Sequence, residues 1–545
     1  MSKWVKAAVL AVNLLVLIGI AGYTFAFESG SLFDVPLIED VEALAEGKDE
    51  GLAGTLLFNG ETLPYDAASE TYYVSQSMQN DEWEGRFSWS EGTPTLYLQQ
   101  DDLLRDKAAA LAAGEPVALL AVEDGRFARV RVVFTGLPIL TLRTDTTEPV
   151  VGEKYTYLAT GEVCLYEADN AQTGRYSIQR SAATFRPRGA TSMSFPKTSY
   201  RIGLLDEAGE NRNLSFLGLR EDDDWLLNSL YSDRSKVRDK LSLDLWNEIA
   251  AETADYNLDG THMRYIEVFL DDEYFGLYGL MEPIDHKSFA LDQELDRLYK
   301  TIHWYIPNRN DMLASRNELE NMSVAIKWPK EMTSSQLWAP FREYLDMFIH
   351  NPKLYSFASM TDRLNLPNAI DYCLFISATT AIDNTFKNIY FYADVAPDGS
   401  YRFTKIPWDL NYTWGEAWTD VNPTFSFFNP EQVDANYIPI DMANLLWKEP
   451  ETVAPLLEAR WTALRERLLD TARLTGRMEE LLGVLQSSGA FARDTARWPG
   501  SHNSADLTDM LEFLPKRMSY LDAFFGDLDA HFFRGEPVST GALGS

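Results

Sequence analysis

Short runs of alternating apolar and polar residues occupy the first third of the chain. TYYVSQS (71–77), TLYLQQ (95–100) and ARVRVVFTG (128–136) alternate with a period of two, which is typical of half-buried strands. One helical stretch is predicted around 101–114. We therefore predict a β-rich accessory domain over 52–137, in which we find no catalytic motif.

The pattern changes twice further along the chain. Residues 138–450 mix strand-like and helical runs and contain every polar cluster of interest. The run ETVAPLLEARWTALRERLLDTARL then has apolar residues at i, i+3, i+4 and i+7, which predicts a helical region over 451–534. Residues 535–545 are predicted to be a tail. This order of elements indicates an α+β protein.

The N terminus is the most apolar part of the chain. Lys3 and Lys6 precede 21 uncharged residues, 7–27, which is long enough to cross a bilayer of about 30 Å. Residues 1–30 are therefore predicted to be a signal anchor or a cleaved signal peptide, a buried core helix being the third alternative. The lysines should stay inside, so we expect an extracytoplasmic protein, either anchored in the membrane through 7–27 or secreted.

Charge and composition exclude several classes of function. The chain has 82 Asp and Glu against 48 Lys and Arg, a net charge of −34, which argues against nucleic acid as a partner. Seven acids and one lysine between Asp34 and Glu50 predict an acidic spacer over 31–51. Cys164 and Cys373 lie in no CxxC motif and the six histidines form no HExxH, so a zinc finger or a histidine-built metal site is not expected.

One segment, 381–415, combines a predicted hairpin with three oxygen-bearing side chains. The runs IYFYADV and SYRFTKI alternate as strands do and are joined by PDG, a strong turn signal. Asp383 and Asn388 precede the first strand, and Asp409 follows the second. Because a hairpin returns its ends to the same place, we expect the three side chains to converge at one edge.

A protein kinase needs this same arrangement. In a protein kinase a catalytic Asp is followed five residues later by an Asn that binds Mg²⁺, and a second Asp, beyond a hairpin, holds the metal. Two other interpretations also fit the segment alone. Asp383 and Asp409 would be ordinary turn caps, or they would be the carboxylate pair of a glycosidase whose many Trp and Tyr side chains stack on sugars.

Basic residues are concentrated in 184–205, TFRPRGATSMSFPKTSYRIGLL. Arg188 and Gly189, followed by small residues, are predicted to form a turn that covers phosphates, with Lys197 reaching them from the next strand. The stretch lacks GxGxxG, and an ordinary basic hairpin is the alternative. On a protein of charge −34, a local cationic patch is where an anionic ligand would bind.

A predicted helix from Ser235 contributes further candidates. Its apolar stripe consists of Val237, Leu241, Leu245 and Ile249. Arg238 and Glu248 flank this stripe, and Glu248, with Asp244 as second choice, is the candidate carboxylate that pairs with Lys197. The alternative is a set of helix-edge salt bridges.

A second predicted hairpin, 264–285, turns at 271–273 and leaves through Glu282. In a two-lobed kinase this exit adjoins the adenine, so Glu282 is a candidate cofactor-binding residue.

Taken together, these segments resemble the CotH family of spore-coat kinases, which are atypical protein kinases. The resemblance covers roughly 138–425 and rests on several motifs in one order. They are RGATS with Lys197 and Tyr200, Asp224-Trp225 with Leu227, Asp233, Ser235 and Arg238, then EVFLDDEYFGLYGLMEPID, LYK at Lys300, IKWPKE at Lys327, DNTFKN and PWDLNYTWG.

The resemblance implies an atypical two-lobed kinase-like fold, with ATP and Mg²⁺ or Mn²⁺ as cofactors. Asp383 would be the catalytic aspartate, with Asn388 and Asp409 as metal ligands. Lys197 would contact the phosphates, and Arg188, Gly189 and Ser192 would form the covering turn.

The family often has the pattern WDxD. In this chain Asn411 stands at the position of the second Asp, which keeps an oxygen ligand but loses a charge. The implied partner is a protein substrate phosphorylated on Ser or Thr, and the acidic charge favours basic substrates. A catalytically silent surface protein, acting as an adhesin or an assembly factor, is the alternative function.

Overall fold

The computed structural model describes residues 30–149, 157–170, 173–189, 191–253, 256, 258–308, 311, 323–417, 426–427 and 438–528. The predicted signal segment, 1–30, lies outside these ranges except for Gly30, and so does the tail at 535–545. Within the described part, no helix is both long enough and apolar enough to cross a membrane.

The first eleven strands form the β-rich region predicted from the alternating pattern. An eight-stranded sheet has the order β1-β2-β9-β10-β11-β7-β6, with β3 pairing with β11, and a smaller sheet has the order β5-β4-β8. Their bounds are β1 Ser31–Leu32, β2 Val35–Ile38, β3 Asp49–Glu50, β4 Leu56–Phe58, β5 Glu61–Thr62, β6 Tyr65–Asp66, β7 Thr71–Ser75, β8 Phe87–Trp89, β9 Thr95–Gln99, β10 Val117–Glu123 and β11 Arg126–Thr135.

The prediction of an acidic spacer over 31–51 is wrong. Strand β2 pairs in parallel with β9, with Leu37 opposite Leu98, and β3 pairs with β11. Leu32, Phe33 and Val35 are buried in the core of this region. These apolar residues between the acids integrate the segment into the sheet, because their burial outweighs the solvation of the charged side chains.

A closed barrel follows, with the order β12-β13-β14-β15-β16-β18-β17. Its strands are β12 Ile139–Pro149, β13 Tyr157–Glu167, β14 Ser177–Arg188, β15 Ser199–Leu205, β16 Asp224–Asn228, β17 Met263–Leu270 and β18 Glu273–Met281. Large apolar side chains, among them Phe185 and Trp225, fill the interior. Beside a bulge in β12, a Cβ on Gly161 would lie 1.8 Å from the Arg143 carbonyl oxygen, so only glycine fits there.

The remaining strands form a sheet of order β20-β19-β21-β22 and a two-stranded ribbon. Their bounds are β19 Arg297–Thr301, β20 Val324–Trp328, β21 Ile389–Val395, β22 Tyr401–Pro407, β23 Glu416–Ala417 and β24 Ser426–Phe427. The predicted hairpin is confirmed, since β21 and β22 pair antiparallel from Ile389 opposite Pro407 to Val395 opposite Tyr401. The hairpin predicted at 264–285 is also present, as β17 and β18.

Eleven α-helices lie within the described residues. They are α1 Val41–Ala45, α2 Lys107–Ala113, α3 Arg238–Ala251, α4 Ser334–Leu345, α5 Phe357–Arg363, α6 Leu366–Thr379, α7 Ile440–Lys448, α8 Pro450–Arg465, α9 Thr471–Ser487, α10 Ala490–Arg497 and α11 Thr508–Phe525. Helix α6 is almost wholly buried, and its Asn368 exchanges hydrogen bonds with the backbone of Lys405 in β22.

The chain divides into two compact units that do not follow its linear order. Unit 1 takes the residues up to Ser229, Arg264–Leu280 and Gly483–Ser501. Unit 2 takes Leu230–Met263, Met281–Leu482 and the residues from His502. Unit 1 therefore contains the barrel, and unit 2 contains the β19–β22 sheet with most of the helices.

Candidate active site

Two loops meet in unit 2 at the open end of the β21–β22 hairpin. The Trp408 amide donates to the Asn388 carbonyl oxygen (3.0 Å), which joins the start of one strand to the end of the other. Buried Asn384 donates through Nδ2 to the carbonyl oxygens of Asn388 (3.0 Å) and Trp408 (2.8 Å). The backbone of the site is therefore fixed by one amide side chain from the preceding turn.

The predicted metal ligands are in contact. Asn388 Nδ2 lies 3.2 Å from Asp409 Oδ2. Both residues have a left-handed backbone, with φ of 58° and 64°, a conformation that Asn and Asp tolerate better than most side chains. This backbone turns both chain segments out of the strands, and it brings their polar side chains together at the hairpin's end.

Asp383 lies in the adjoining short helix, Ile382–Thr385. Its carboxylate accepts a hydrogen bond from Lys387 Nζ at 2.7 Å, and both side chains are partly exposed. Burial raises the pKa of Tyr412, and the negative charges of Asp409 and Asp383 raise it further. The contact between Asn388 and Asp409 is therefore present in unit 2, and the convergence of Asp383 with them stays a prediction.

The loop after Asp409 is anchored to α3. The Leu410 amide donates to Asp239 Oδ1 (3.1 Å), and Asp239 is buried in the first turn of that helix. Asn411, the position at which the chain departs from the family pattern, donates to Ser232 Oγ (2.7 Å). Its amide nitrogen therefore has a structural partner in a segment that leads into the helix.

Arg238 belongs to a buried charge cluster. Its guanidinium lies 2.8 Å from Glu416 Oε2 and 3.4 Å from Asp233 Oδ1, and all three side chains are nearly inaccessible. Burial raises the pKa of Glu416 to about 7, with Arg238 opposing the rise and Asp233 adding to it. In this arrangement Arg238 holds the loop that follows Asp409, and its contact with a nucleotide stays a prediction.

The Asn388–Asp409 contact is the candidate position for a metal ion. Within the described ranges, no group of three or more His, Cys, Asp and Glu side chains is placed to hold one. Asp409 and Asn388 supply one carboxylate and one amide at a single point. This donor set fits Mg²⁺ or Mn²⁺, because Mg²⁺ is usually bound through one or two carboxylates and completes its octahedron with waters and substrate phosphates.

The pairing predicted for Glu248 is wrong. Glu248 accepts hydrogen bonds from Arg473 (2.9 Å) and Arg477, both on α9. Asp244 in turn pairs with Lys240. The two arginines compensate Glu248 within unit 2, and the lysine that it was expected to neutralise has another partner.

That partner is Asp494, on α10 in unit 1. Lys197 Nζ lies 2.5 Å from Asp494 Oδ1 and donates to the Leu277 carbonyl oxygen (2.5 Å), and both charged side chains are 0% exposed. Burial lowers the pKa of Lys197, and the Asp494 carboxylate opposes this effect. The ammonium therefore faces a buried carboxylate in this conformation, and its predicted contact with phosphate stays a prediction.

The predicted covering turn joins β14 to β15. Arg188 ends β14, and Ser192 lies in the short helix Thr191–Ser194. Gly189 has φ of 124°, and a Cβ there would lie 1.9 Å from Ser192 Oγ, so the turn requires glycine. The structure brings these three residues together in unit 1.

Glu282 is largely buried in unit 2. Its carboxylate lies 3.0 Å from His262 Nδ1, and its carbonyl oxygen accepts from Thr261 Oγ1 (2.5 Å). Its role beside an adenine stays a prediction.

Four side chains that organise these sites were not among the predicted residues. They are Asn384, Asp239, Glu416 and Asp494. Asn384 stands inside the DNTFKN motif and Glu416 directly after PWDLNYTWG, so their positions offered a local signal. Asp494 is 297 residues from Lys197 and offered none.

The fold and the site define a mixed α+β protein with an Asn388–Asp409 contact at the end of a hairpin and Asp383 in the adjoining short helix. A family model described as "CotH kinase protein" matches residues 185–521, more than half of the chain. The chain therefore belongs to the CotH family, as its motifs indicate. A comparison with curated proteins gives no match.

Proposed function

We propose that the protein is an atypical protein kinase that transfers the γ-phosphate of ATP to Ser or Thr of a protein substrate. The observation that carries this proposal is the contact between Asn388 and Asp409, with Asp383 on the adjoining turn. Kinases place a catalytic carboxylate, an Asn and a metal-binding Asp in this relation. Membership of the CotH family supports the same reading.

Each residue then has a defined task. Asp409 and Asn388 would hold Mg²⁺ or Mn²⁺, which supplies charge neutralisation at the phosphates. The acceptor oxygen attacks the γ-phosphorus, the bond from that phosphorus to the bridging oxygen of ADP breaks, and Asp383 accepts the hydroxyl proton. Lys387, 2.7 Å from Asp383, keeps that carboxylate oriented.

The two compact units are the proposed lobes of a kinase-like fold. In this scheme the barrel with the turn of Arg188, Gly189 and Ser192 corresponds to the nucleotide-covering lobe, and unit 2 corresponds to the catalytic lobe. The presence of both a tight β14–β15 turn and the hairpin site in one chain supports this assignment.

The proposed substrate class and location rest on the net charge and on the N-terminal sequence. A net charge of −34 attracts basic acceptor segments and repels acidic ones. The apolar run at 7–27 supports an extracytoplasmic site of action, reached by anchoring or by secretion.

One observation favours a second function. Lys197 is fully buried against Asp494, an arrangement in which the lysine compensates a buried carboxylate in the protein core. A catalytically silent CotH protein that acts through surface contacts, as an adhesin or an assembly factor, would have the same feature.

A labelling assay distinguishes the two functions. The full-length protein is incubated with γ-labelled ATP, Mg²⁺ or Mn²⁺, and either a basic Ser-rich peptide or its acidic counterpart. We expect label on the basic peptide, and its loss in Asp383→Asn and Asp409→Asn by about 10²-fold or more, since each variant keeps the shape but removes a charge. Asp398→Asn is the matched control, because Asp398 is exposed on the turn at the other end of the same hairpin.

Two results would contradict the kinase proposal. Label that persists in both site variants would place the activity elsewhere. Absence of label together with absence of nucleotide binding would favour the silent function.

A further inference from the structure

Two neighbouring aromatic side chains are exposed on the surface of unit 2. Trp304 and Tyr305 are 43% and 45% accessible, whereas most aromatic side chains of the described residues are buried. Exposed Trp and Tyr side chains are enriched where proteins bind partners, because each offers a large apolar face at a low cost in conformational entropy. This pair is therefore a candidate contact surface.

The backbone that carries the two rings is anchored to the β19–β22 sheet. The Ile302 amide donates to the Ser323 carbonyl oxygen (2.7 Å), and Ser323 Oγ donates to the Tyr305 carbonyl oxygen. Ser323 is fully buried and directly precedes β20. A partner that binds the rings consequently does not have to order this segment first, which lowers the entropy lost on binding.

The same segment begins at the hairpin site. The Asn388 amide donates to the carbonyl oxygen of Thr301, the last residue of β19 (3.0 Å). Trp304 follows three residues later, so its Cα lies within about 11 Å of the Thr301 Cα. An extended peptide rises by about 3.3 Å per residue and covers that distance in about three residues. The rings are therefore within reach of a peptide whose hydroxyl lies at the hairpin site.

A carboxylate beside the rings defines the charge of the ligand. Asp311 Oδ2 accepts hydrogen bonds from the Tyr305 hydroxyl (2.6 Å) and from the Asn308 amide (2.7 Å), which are both neutral donors, and Asp311 is partly accessible. Ring faces attract cations through their quadrupole, and the carboxylate attracts cations and repels phosphate. The net charge of −34 acts in the same direction.

We propose that Trp304 and Tyr305, together with Asp311, bind an Arg or Lys side chain of the acceptor protein, about three positions from the Ser or Thr that is phosphorylated. This inference rests on the proposed kinase function and deepens it, since it narrows a general preference for basic substrates to one basic position. Arginine suits the surface best, because its planar guanidinium stacks on aromatic rings and also donates hydrogen bonds to a carboxylate.

The test measures binding of two fluorescein-labelled peptides to the full-length protein by fluorescence anisotropy. One peptide has Arg at the third position on each side of a single Ser, and the other has Gln at both positions. Trp304→Ala should weaken binding of the Arg peptide about fivefold and leave that of the Gln peptide unchanged, because a cation–π contact at an exposed site is lost. Asp311→Asn should make the affinity for the Arg peptide less sensitive to salt.

Two further variants complete the design. Trp304→Phe keeps a ring face and should retain most of the affinity for the Arg peptide. Leu456→Ala is the matched control, since Leu456 on α8 is a similarly exposed apolar side chain, at 42%. It should leave the binding of both peptides unchanged.

Incubation of the same peptides with γ-labelled ATP separates this inference from the kinase proposal. Arg-dependent binding that is lost in Trp304→Ala supports the surface, and label on the Arg peptide then supports both proposals, whereas absence of label contradicts the kinase proposal alone. Equal affinity for the two peptides, or equal affinity of wild type and Trp304→Ala for the Arg peptide, would overturn the inference even if the peptides are labelled. A loss of ATP binding in Trp304→Ala without a loss of peptide binding would assign the rings to the nucleotide base and overturn it as well.

Discussion

The buried Lys197–Asp494 pair makes replacement of the barrel lysine a test of stability as much as of catalysis. Lys197→Met is the substitution that would ordinarily be chosen to inactivate a kinase. Here it removes an ammonium that lies 2.5 Å from Asp494 Oδ1, with both side chains 0% exposed. We expect the variant to be strongly destabilised, because a carboxylate is left in the core without its counter-charge.

The structure sets the magnitude. Asp494 Oδ1 keeps the hydrogen bond from the Leu277 amide, at 2.9 Å, after the lysine is removed. Breaking a buried ion pair by removing one partner costs about 3–5 kcal/mol. Replacing both partners by apolar residues is often neutral or stabilising, so Lys197→Met with Asp494→Leu should recover about 1–3 kcal/mol relative to the single variant.

Urea unfolding followed by tryptophan fluorescence measures this, with the free energy of unfolding taken by linear extrapolation. The 14 tryptophans of the chain include Trp225 in the barrel core and Trp498 beside Phe275, so unit 1 has its own probes. A loss below about 1 kcal/mol for Lys197→Met, or a double variant whose loss equals the sum of the two single losses, would refute the reasoning.

Two further predictions concern the loop after Asp409. The rise in the pKa of Glu416 from 4.5 to about 7 means that the folded protein binds an extra proton in this range, so stability falls as pH rises from 4.5 to 7, by about 3 kcal/mol in total. Glu416→Gln should flatten that slope in urea unfolding at pH 5 and 7.5, and an unchanged slope would contradict the assignment. Asp239→Ala removes the acceptor of the Leu410 amide and should lower kcat for peptide phosphorylation by about tenfold with little change in KM, whereas an unchanged kcat would show that this anchor does not position Asp409.

The hairpin site was predictable because its signals are local. Asp383, Asn388 and Asp409 flank two alternating runs joined by PDG, and antiparallel pairing follows from that pattern. The backbone geometry of the site was not predictable in the same way. Asn384 lies in the same motif, but the sequence pattern does not indicate that its side chain, rather than a neighbouring one, bonds to both loops.

Contacts between residues far apart in the chain were not predictable from the sequence. Helix phase correctly placed Glu248 beside the apolar stripe of α3, but phase carries no information about which cation faces it. The guanidiniums of Arg473 and Arg477 come from α9, far along the chain. The acidic composition of 31–51 was similarly misleading, since a few apolar residues between the acids are sufficient to pair the segment with a sheet.

Helix α10, which lies beyond the predicted core boundary at 450, supplies charge partners to unit 1. Residues 483–501 return to unit 1, where Arg493 compensates buried Glu267 at 2.8 Å and Asp494 compensates Lys197. A chain cut at 450 would leave both Lys197 and Glu267 in the interior without their charge partners, at a cost comparable to the whole stability of a typical domain. The family match runs to 521, past this segment. Helix α10 therefore helps to hold unit 1 together, because its Asp494 and Arg493 compensate the buried charges of Lys197 and Glu267.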